Sequence, residues 1–412
     1  MNSTSDVLKK FFVYQLFFFI LLLPQPVFSA EKSPQTNMNN LLHNYDAFVS
    51  DNLKKSRTPG VAIAIADHGK IVSLKAYGVK KAGKPDLIDK KTVFRIGSVS
   101  KGFAAILTGL LVKDGVLKWD DKVTKYLPEF SLHDKKNTDN LTIRNILDHT
   151  CGLVPHAYDS MIEDNVPFEK IVDKLSDLPV ECPVGECYGY QNVVYSLIGD
   201  IIKSATGKEY TELLSERILK PLGMNTVSFS KKQFIDSKNY ASPHDKIKRK
   251  WKPVSLKETY YSTTPSSGIN CSIQDMAQWL LAMLGNKSDV IPLSVIDEVY
   301  TPCITTPREL RRFNRNHRIK AAYYGLGWRI FDYSGYKLVY HSGYVNGYYA
   351  VIALLPGQDT GIVVLQNSSR HNYYVNKFLD MYLNIRQDAP TKKTYRVSRH
   401  FRHKKHKRKK LM

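Results

Sequence analysis

Apolar positions recur at helical spacing near the start of the chain, at Leu41, Leu42, Tyr45, Phe48, Val49 and Leu53. That period predicts an amphipathic helix. A run of small and β-branched residues at 61–66, the turn residues Asp67, His68 and Gly69, and a second run at 71–77 predict a β-hairpin. A long apolar helical stretch at 102–112 stops near Asp114 and Gly115. From about 116 to 330 the pattern is mixed and loop-rich. Helical patches stand out there at 145–149, at 193–205 before Gly207, and at 273–284 with Asp275 in the first turn. The polar stretch 231–260 fits no period. Three strand-like runs follow at 338–341, 348–355 and 361–366, with Pro356 and Gly357 as a turn. A last amphipathic helix at 373–385 carries Tyr374, Phe378, Leu379, Tyr382 and Leu383. The simplest packing is an α+β fold, an α/β sandwich. The late strands join the early hairpin in one antiparallel sheet, the terminal helices cover one face, and the middle forms a mostly helical subdomain. The expected site lies between the two parts.

The ends of the chain alter this picture. Lys9 and Lys10 precede an apolar run at 11–23 and a small-residue stretch ending at Ala30. This reads as a signal peptide over 1–30, with an uncleaved anchor as the alternative. A membrane span needs about 20 apolar residues, more than this run offers. The protein is therefore expected to be exported, periplasmic or secreted. Half of the formal net charge of +22 sits in 391–412, which holds 11 Lys and Arg and no acid. Such a block repels itself and buries no core, so a basic disordered tail is expected. An anionic polymer or membrane surface is its expected partner, against a merely solvated tail. No recognition motif accompanies the charge, which argues against nucleic acid. The catalytic domain is then 38–388, expected to be monomeric.

Five cysteines are present, and export permits disulfides. Cys182 and Cys187 enclose four residues and can close a small loop. No Cys/His cluster has zinc spacing, so neither metal nor other cofactor is expected.

Ser98 and Lys101 form a Ser-x-x-Lys at the start of the 102–112 helix, where positions i and i+3 share a face. A desolvated lysine can take a proton from a neighbouring hydroxyl, and a serine needs that help to be a nucleophile. Tyr190-Gln191-Asn192 stands in a loop just before a helix, and His341-Ser342-Gly343 ends a short strand. Taken singly, each is weak: Ser-x-x-Lys arises by chance, and tyrosine is abundant here.

In that order, the three resemble the motifs of the serine penicillin-recognising enzymes. These include class C β-lactamases, D-alanyl-D-alanine carboxypeptidases, and related esterases and D-aminopeptidases. The stretch Phe94-Arg95-Ile96-Gly97-Ser98-Val99-Ser100-Lys101 resembles the family's nucleophile segment. Residues 141–153, 267–279 and 324–328 match further family segments. The resemblance implies an acyl-enzyme on Ser98, with Lys101 and Tyr190 managing its proton and the choice of base open between them. It implies that Asn192 orients Lys101 and substrate, and that backbone N–H groups of Ser98 and Tyr344 form an oxyanion hole. His341 and Ser342 would face a substrate carboxylate beside Gly343. Class C β-lactamases usually have lysine where this chain has His341, whereas His-x-Gly is usual among the peptidases and esterases. His149 and Cys151 read as packing residues. The expected function is a serine hydrolase of D-alanyl-D-alanine-type peptides and/or β-lactams. The alternatives are a β-lactamase proper, an esterase or D-aminopeptidase, and a non-catalytic binder of cell wall or anionic surfaces.

If the tail is an adhesion segment, deleting 391–412 weakens retention on anionic vesicles at low salt and leaves turnover of small substrates unchanged. Equal retention of both forms contradicts that role.

Overall fold

The computed structural model describes residues 34–313, 317–369 and 373–385. The leader over 1–30 and the tail over 391–412 lie outside the described residues. An eight-stranded antiparallel sheet forms the backbone of the fold. From one edge its strands are Lys70–Gly78, Gly60–Asp67, Thr360–Gln366, Tyr348–Leu355, Tyr336–Val345, Arg329–Tyr333, Ile319–Tyr324 and Ile304–Thr305. The early hairpin thus pairs with the last strand, Val61 opposite Gln366 and Ala66 opposite Gly361.

The central strands are buried on both faces, so they read as continuous apolar runs rather than alternating ones. Alternation survives in side-chain size. Val61, Ile63 and Ile65 pack with the terminal helices Pro34–Ser56 and Tyr373–Ile385, through residues such as Tyr45, Phe378 and Tyr382. Ala62, Ala64 and Ala66 face the opposite core. Small side chains there let the helix Ile273–Met283 approach the sheet closely. Tyr45 also donates its hydroxyl to the Tyr374 carbonyl at 3.0 Å, tying the two terminal helices together.

The second layer is largely helical and centres on the helix Ser100–Lys113. From Ser100 to Leu111 every residue of this helix is buried, as expected of a helix apolar all round. Phe103 stacks on Trp279 with ring centroids 3.8 Å apart. Gly102 lies flat against Trp328: an added Cβ would come within 2.5 Å of its ring. The helix Val193–Thr206 packs alongside and ends at a left-handed Gly207, as its sequence predicts.

The middle of the chain is less helical than its sequence suggests. Ile304–Thr305, Ile319–Tyr324 and Arg329–Tyr333 complete the sheet. A register irregularity between Ile319 and Ala321 breaks the period-2 signal of one, and a charged Arg329 opens another. The expected short strand at 338–341 extends to Tyr336–Val345. The unassigned stretch 231–260 contains a helix, Lys231–Asp236, and a hairpin of His244–Ile247 with Lys250–Pro253. Its two turn residues, Lys248 and Arg249, are both left-handed, a role usually signalled by Asn and Gly. Cys182 and Cys187 are disulfide-bonded, while Cys151, Cys271 and Cys303 are free and buried.

Among the described residues, no helix is long and apolar enough to cross a membrane. Replacing Gly102 with alanine forces a methyl into the Trp328 ring. The expected loss is about 1–3 kcal/mol of stability in urea unfolding; an unchanged midpoint contradicts this packing.

Candidate active site

Ser98 sits in a single 3-10 turn, Gly97–Val99, immediately before the helix Ser100–Lys113. The sequence placed it on the helix itself; the tighter turn still sets positions i and i+3 on one side. The turn rests against the strand Tyr336–Val345. A Cβ on Gly343 would lie 2.6 Å from the Ser98 nitrogen, and one on Gly97 3.0 Å from the Tyr344 nitrogen. Gly97 is also left-handed, at φ +52°. Glycine at both positions lets the backbones of Ser98 and Tyr344 come together.

Lys101 is wholly buried. Its Nζ lies 2.7 Å from Asn192 Oδ1, 3.2 Å from the Ser266 carbonyl and 3.5 Å from Ser98 Oγ. The rings of Tyr190 and Tyr195 lie 4.6 and 5.2 Å from it. Burial holds its pKa well below the ordinary lysine range; Arg329 adds to that and the Asp159 carboxylate opposes it. A neutral amine has two N–H donors and one lone pair. With the donors spent on Asn192 and Ser266, the lone pair is left for the Ser98 hydroxyl.

Tyr190 and Asn192 stand just before the helix Val193–Thr206, as their sequence position predicts. Burial pushes the Tyr190 phenol up to about 12, with the Arg329 charge and a hydrogen bond to Ser98 pulling the other way. His149 lies beneath. It is buried, accepts the Gln191 N–H on Nδ1 at 3.2 Å, and packs on the ring of Tyr190 with centroids 4.4 Å apart. The disulfide Cys182–Cys187 fastens the segment leading into Tyr188 and Tyr190, and the Cys182 carbonyl accepts from Asn137 Nδ2.

The third motif divides. Ser342, Gly343 and Tyr344 border the cavity at Ser98. Pairing with Arg329–Tyr333 ends where Tyr340 meets Arg329, whereas pairing on the other side runs on to Val345. Residues 342–344 are therefore an edge on the cavity side, able to pair with an extended substrate. The His341 ring, expected to face a substrate carboxylate, is fully buried and does not border the cavity. Side chains alternate along a strand, and His341 shares with Gly343 the face turned to the layer of Ser98, where it is fully buried against Tyr190. Its Nε2 meets the Tyr324 hydroxyl at 3.1 Å and Arg329 Nη1 at 3.4 Å. A guanidinium only donates, so Nε2 accepts. Nδ1 donates to the Ser342 carbonyl at 3.1 Å. The ring is thus neutral, and burial, reinforced by Arg329, lowers its pKa well below the ordinary histidine value.

The buried cation of this region is Arg329, which sequence reasoning passed over. Its signal was present: a charged residue directly after Tyr324-Gly325-Leu326-Gly327-Trp328, at the start of an apolar strand. Its Nε donates to Glu309 Oε2 at 2.7 Å, and its guanidinium stands 5.2 Å from the centre of the Tyr190 ring. Burial pushes the Glu309 carboxyl up, and Arg329 more than offsets this, holding it below its ordinary range. Asp159, His156, Glu163 and Tyr260 also line the cavity, whose volume is about 730 Å³. Arg95, beside the nucleophile motif, donates to the carbonyls of Lys257 and Thr259 at 3.1 and 2.6 Å and fixes the loop that presents Tyr260.

Among the described residues, no group of acids, histidines and cysteines could hold a metal ion.

The family model described as "Beta-lactamase" matches residues 45–377. "Protein flp" of Staphylococcus aureus strain NCTC 8325 is 28% identical over 348 residues, 83% of this chain. This chain spans 66% of that protein's length. "Unguisins hydrolase ungD'" of Aspergillus campestris is 26% identical over 81% of this chain and 63% of its own length. Among solved structures, the octameric penicillin-binding protein homologue from Pyrococcus abyssi superposes with a TM-score of 0.74 at 26% identity. The match covers 83% of this chain and 77% of that one.

Glu309→Gln leaves Arg329 buried without its counter-charge, and the expected loss is about 3 kcal/mol at neutral pH. The sign with pH follows from the depressed carboxyl. Its stabilisation is present above the unfolded value of about 4.3 and is lost as pH falls through the lower folded one. Urea unfolding of wild type and variant is therefore expected to differ at pH 7 and converge in acid. A constant gap across that range contradicts the role of the pair.

Proposed function

The chain belongs to the Beta-lactamase family, and on that basis we propose that it is an exported serine hydrolase acting through an acyl-enzyme on Ser98. Its substrates are D-alanyl-D-alanine-type peptides and/or β-lactams. The observation that carries this reading is the buried Lys101 amine, its donors directed at Asn192 and Ser266 and its nitrogen turned to Ser98 Oγ. Lys101 takes the hydroxyl proton as Ser98 attacks the carbonyl. Tyr190, a neutral phenol at physiological pH, relays a proton towards the leaving group. The Ser98 and Tyr344 N–H groups receive the developing oxyanion, where one donor is typically worth ~10²–10³ in rate. The Ser342–Tyr344 edge aligns an extended substrate, and the basic tail holds the protein near an anionic surface.

A second reading has its own support. His341 is buried and neutral, and Arg329 is already paired with Glu309, so the site offers weak hold on a free carboxylate. That favours an esterase or broad amide hydrolase over an enzyme strict for C-terminal carboxylates.

The purified protein is incubated with a chromogenic cephalosporin, following colour and intact mass, and separately with a short p-nitrophenyl ester. A lasting adduct on Ser98 supports a penicillin-binding peptidase, and fast turnover supports a β-lactamase. Ester hydrolysis alone supports the second reading. Ser98→Ala is expected to remove whichever activity is found; an active Ser98→Ala variant refutes the mechanism.

A further inference from the structure

Asn192 faces two partners with opposite demands. Its Oδ1 lies 2.7 Å from Lys101 Nζ, and its Nδ2 donates to Asp159 Oδ2 at 2.8 Å. An amine that must spend its N–H groups on acceptors meets Oδ1, and a carboxylate that can only accept meets Nδ2. The carboxamide therefore has one favourable orientation. Turned over, it would set an NH2 against the lysine and an oxygen against the carboxylate. We propose that Asp159 is a positioning residue for the reaction at Ser98, acting through Asn192 to hold the Lys101 amine against the serine. This rests on the hydrolase reading above.

The surroundings of Asp159 fit that task. It opens the short helix Asp159–Glu163 after a corner in which His156 and Tyr158 are left-handed, at φ 62° and 58°. Each such residue costs roughly 1 kcal/mol or more, and the strain persists only where neighbours enforce it. Here they do. The His156 N–H donates to the Tyr190 carbonyl at 2.8 Å, and the Asp159 N–H to the His156 carbonyl at 3.2 Å. His156 Nδ1 bonds Asp159 Oδ2 at 2.7 Å. The Gln191 carboxamide donates to the Val154 carbonyl. The loop bearing Asp159 is thus fastened to the segment bearing Tyr190 and Asn192. One Asn192 N–H stays uncommitted for a substrate carbonyl.

Asp159 also acts through charge. The groups around Lys101 are few. Ser98 precedes its own helix, Asn192 and Tyr195 come from the neighbouring one, and Tyr190 and the Ser266 carbonyl close the sides. His149 and His341 are buried and held to the neutral form, leaving Arg329 and Asp159 as the charges that act on the amine. Asp159 itself faces His156, with Glu163 hydrogen-bonded to Tyr260 on the same cavity wall. Burial lowers the pH above which Lys101 can accept a proton, and the negative charge of Asp159 favours the ammonium and raises it again in part.

The test is the rate at which a fluorophosphonate labels Ser98, read by intact mass between pH 5 and pH 10. In that step the Ser98 Oγ–P bond forms, the P–F bond breaks, fluoride leaves, and the hydroxyl proton passes to Lys101. Labelling falls as pH drops through the Lys101 pKa. Asp159→Asn keeps an acceptor for Asn192 and removes the charge. The half-point is expected to move down by roughly half to one pH unit with the plateau nearly kept. Asp159→Ala removes both, and the same shift should come with a plateau about tenfold lower. A merely structural role would lower the plateau or the melting temperature without moving the half-point. If Asp159→Ala does not fold, Asp159→Asn alone decides the matter. An unmoved half-point in a normally labelled protein overturns the proposal and leaves the hydrolase reading intact. A wild-type protein that is not labelled at Ser98 overturns both.

Discussion

Everything at this site depends on the burial of one amine. An exposed lysine stays an ammonium to about pH 10.4 and cannot accept a proton at neutral pH. Burial weakens the hold of Lys101 on that charge, since its helix is enclosed by the sheet, by Trp279 and by Trp328. Burial alone would leave a lysine free to turn aside. Asn192 and the Ser266 carbonyl prevent this by taking its two donors. The apolar packing of the second layer and the polarity of the site are one device. The packing removes water, and the few polar atoms left inside fix where the nitrogen points.

The same logic governs the remaining charges. Arg329 is almost as buried as Lys101 but cannot lose its proton, so it needs a counter-ion, which Glu309 supplies. A buried pair of this kind adds little to stability compared with an apolar pair of similar size. Its effect lies in the field it leaves. Arg329 reinforces the burial that keeps His341 neutral, adds to the depression of the Lys101 pKa, and draws the Tyr190 phenol downward against burial. A positive charge held near three titratable groups thus tunes them together.

The sequence was most informative where one local signal sufficed. The amphipathic terminal helices, the early hairpin, the apolar helix after Ser98 and the Gly207 stop all follow from periodicity or a single cap. Ser98, Lys101, Tyr190 and Asn192 were legible as motifs, and the fold does gather them. Legibility failed where tertiary context set the conformation. Lys248 and Arg249 form a turn with no glycine. The strand Ile319–Tyr324 hides its alternation behind a register shift. Asp159 and Arg329 belong to no spacing pattern, since Asp159 meets Asn192 from 33 residues away and Arg329 meets Glu309 from 20.

His341 shows why a motif and a contact are different things. The third motif was read correctly as a strand edge, because backbone donors and acceptors depend only on where pairing ends. Its histidine lies on the Ser98 side of the sheet but is fully buried, because burial depends on neighbours that the motif does not contain. Ser342 and Tyr344 border the cavity from the opposite face of the strand, and His341 is enclosed by Tyr190, Tyr324 and Trp328. A lysine in its place would be a second buried amine beside Lys101 and Arg329, whose counter-ion Glu309 is already engaged. Histidine avoids that conflict by being neutral, and it serves as an acceptor for Arg329 and Tyr324.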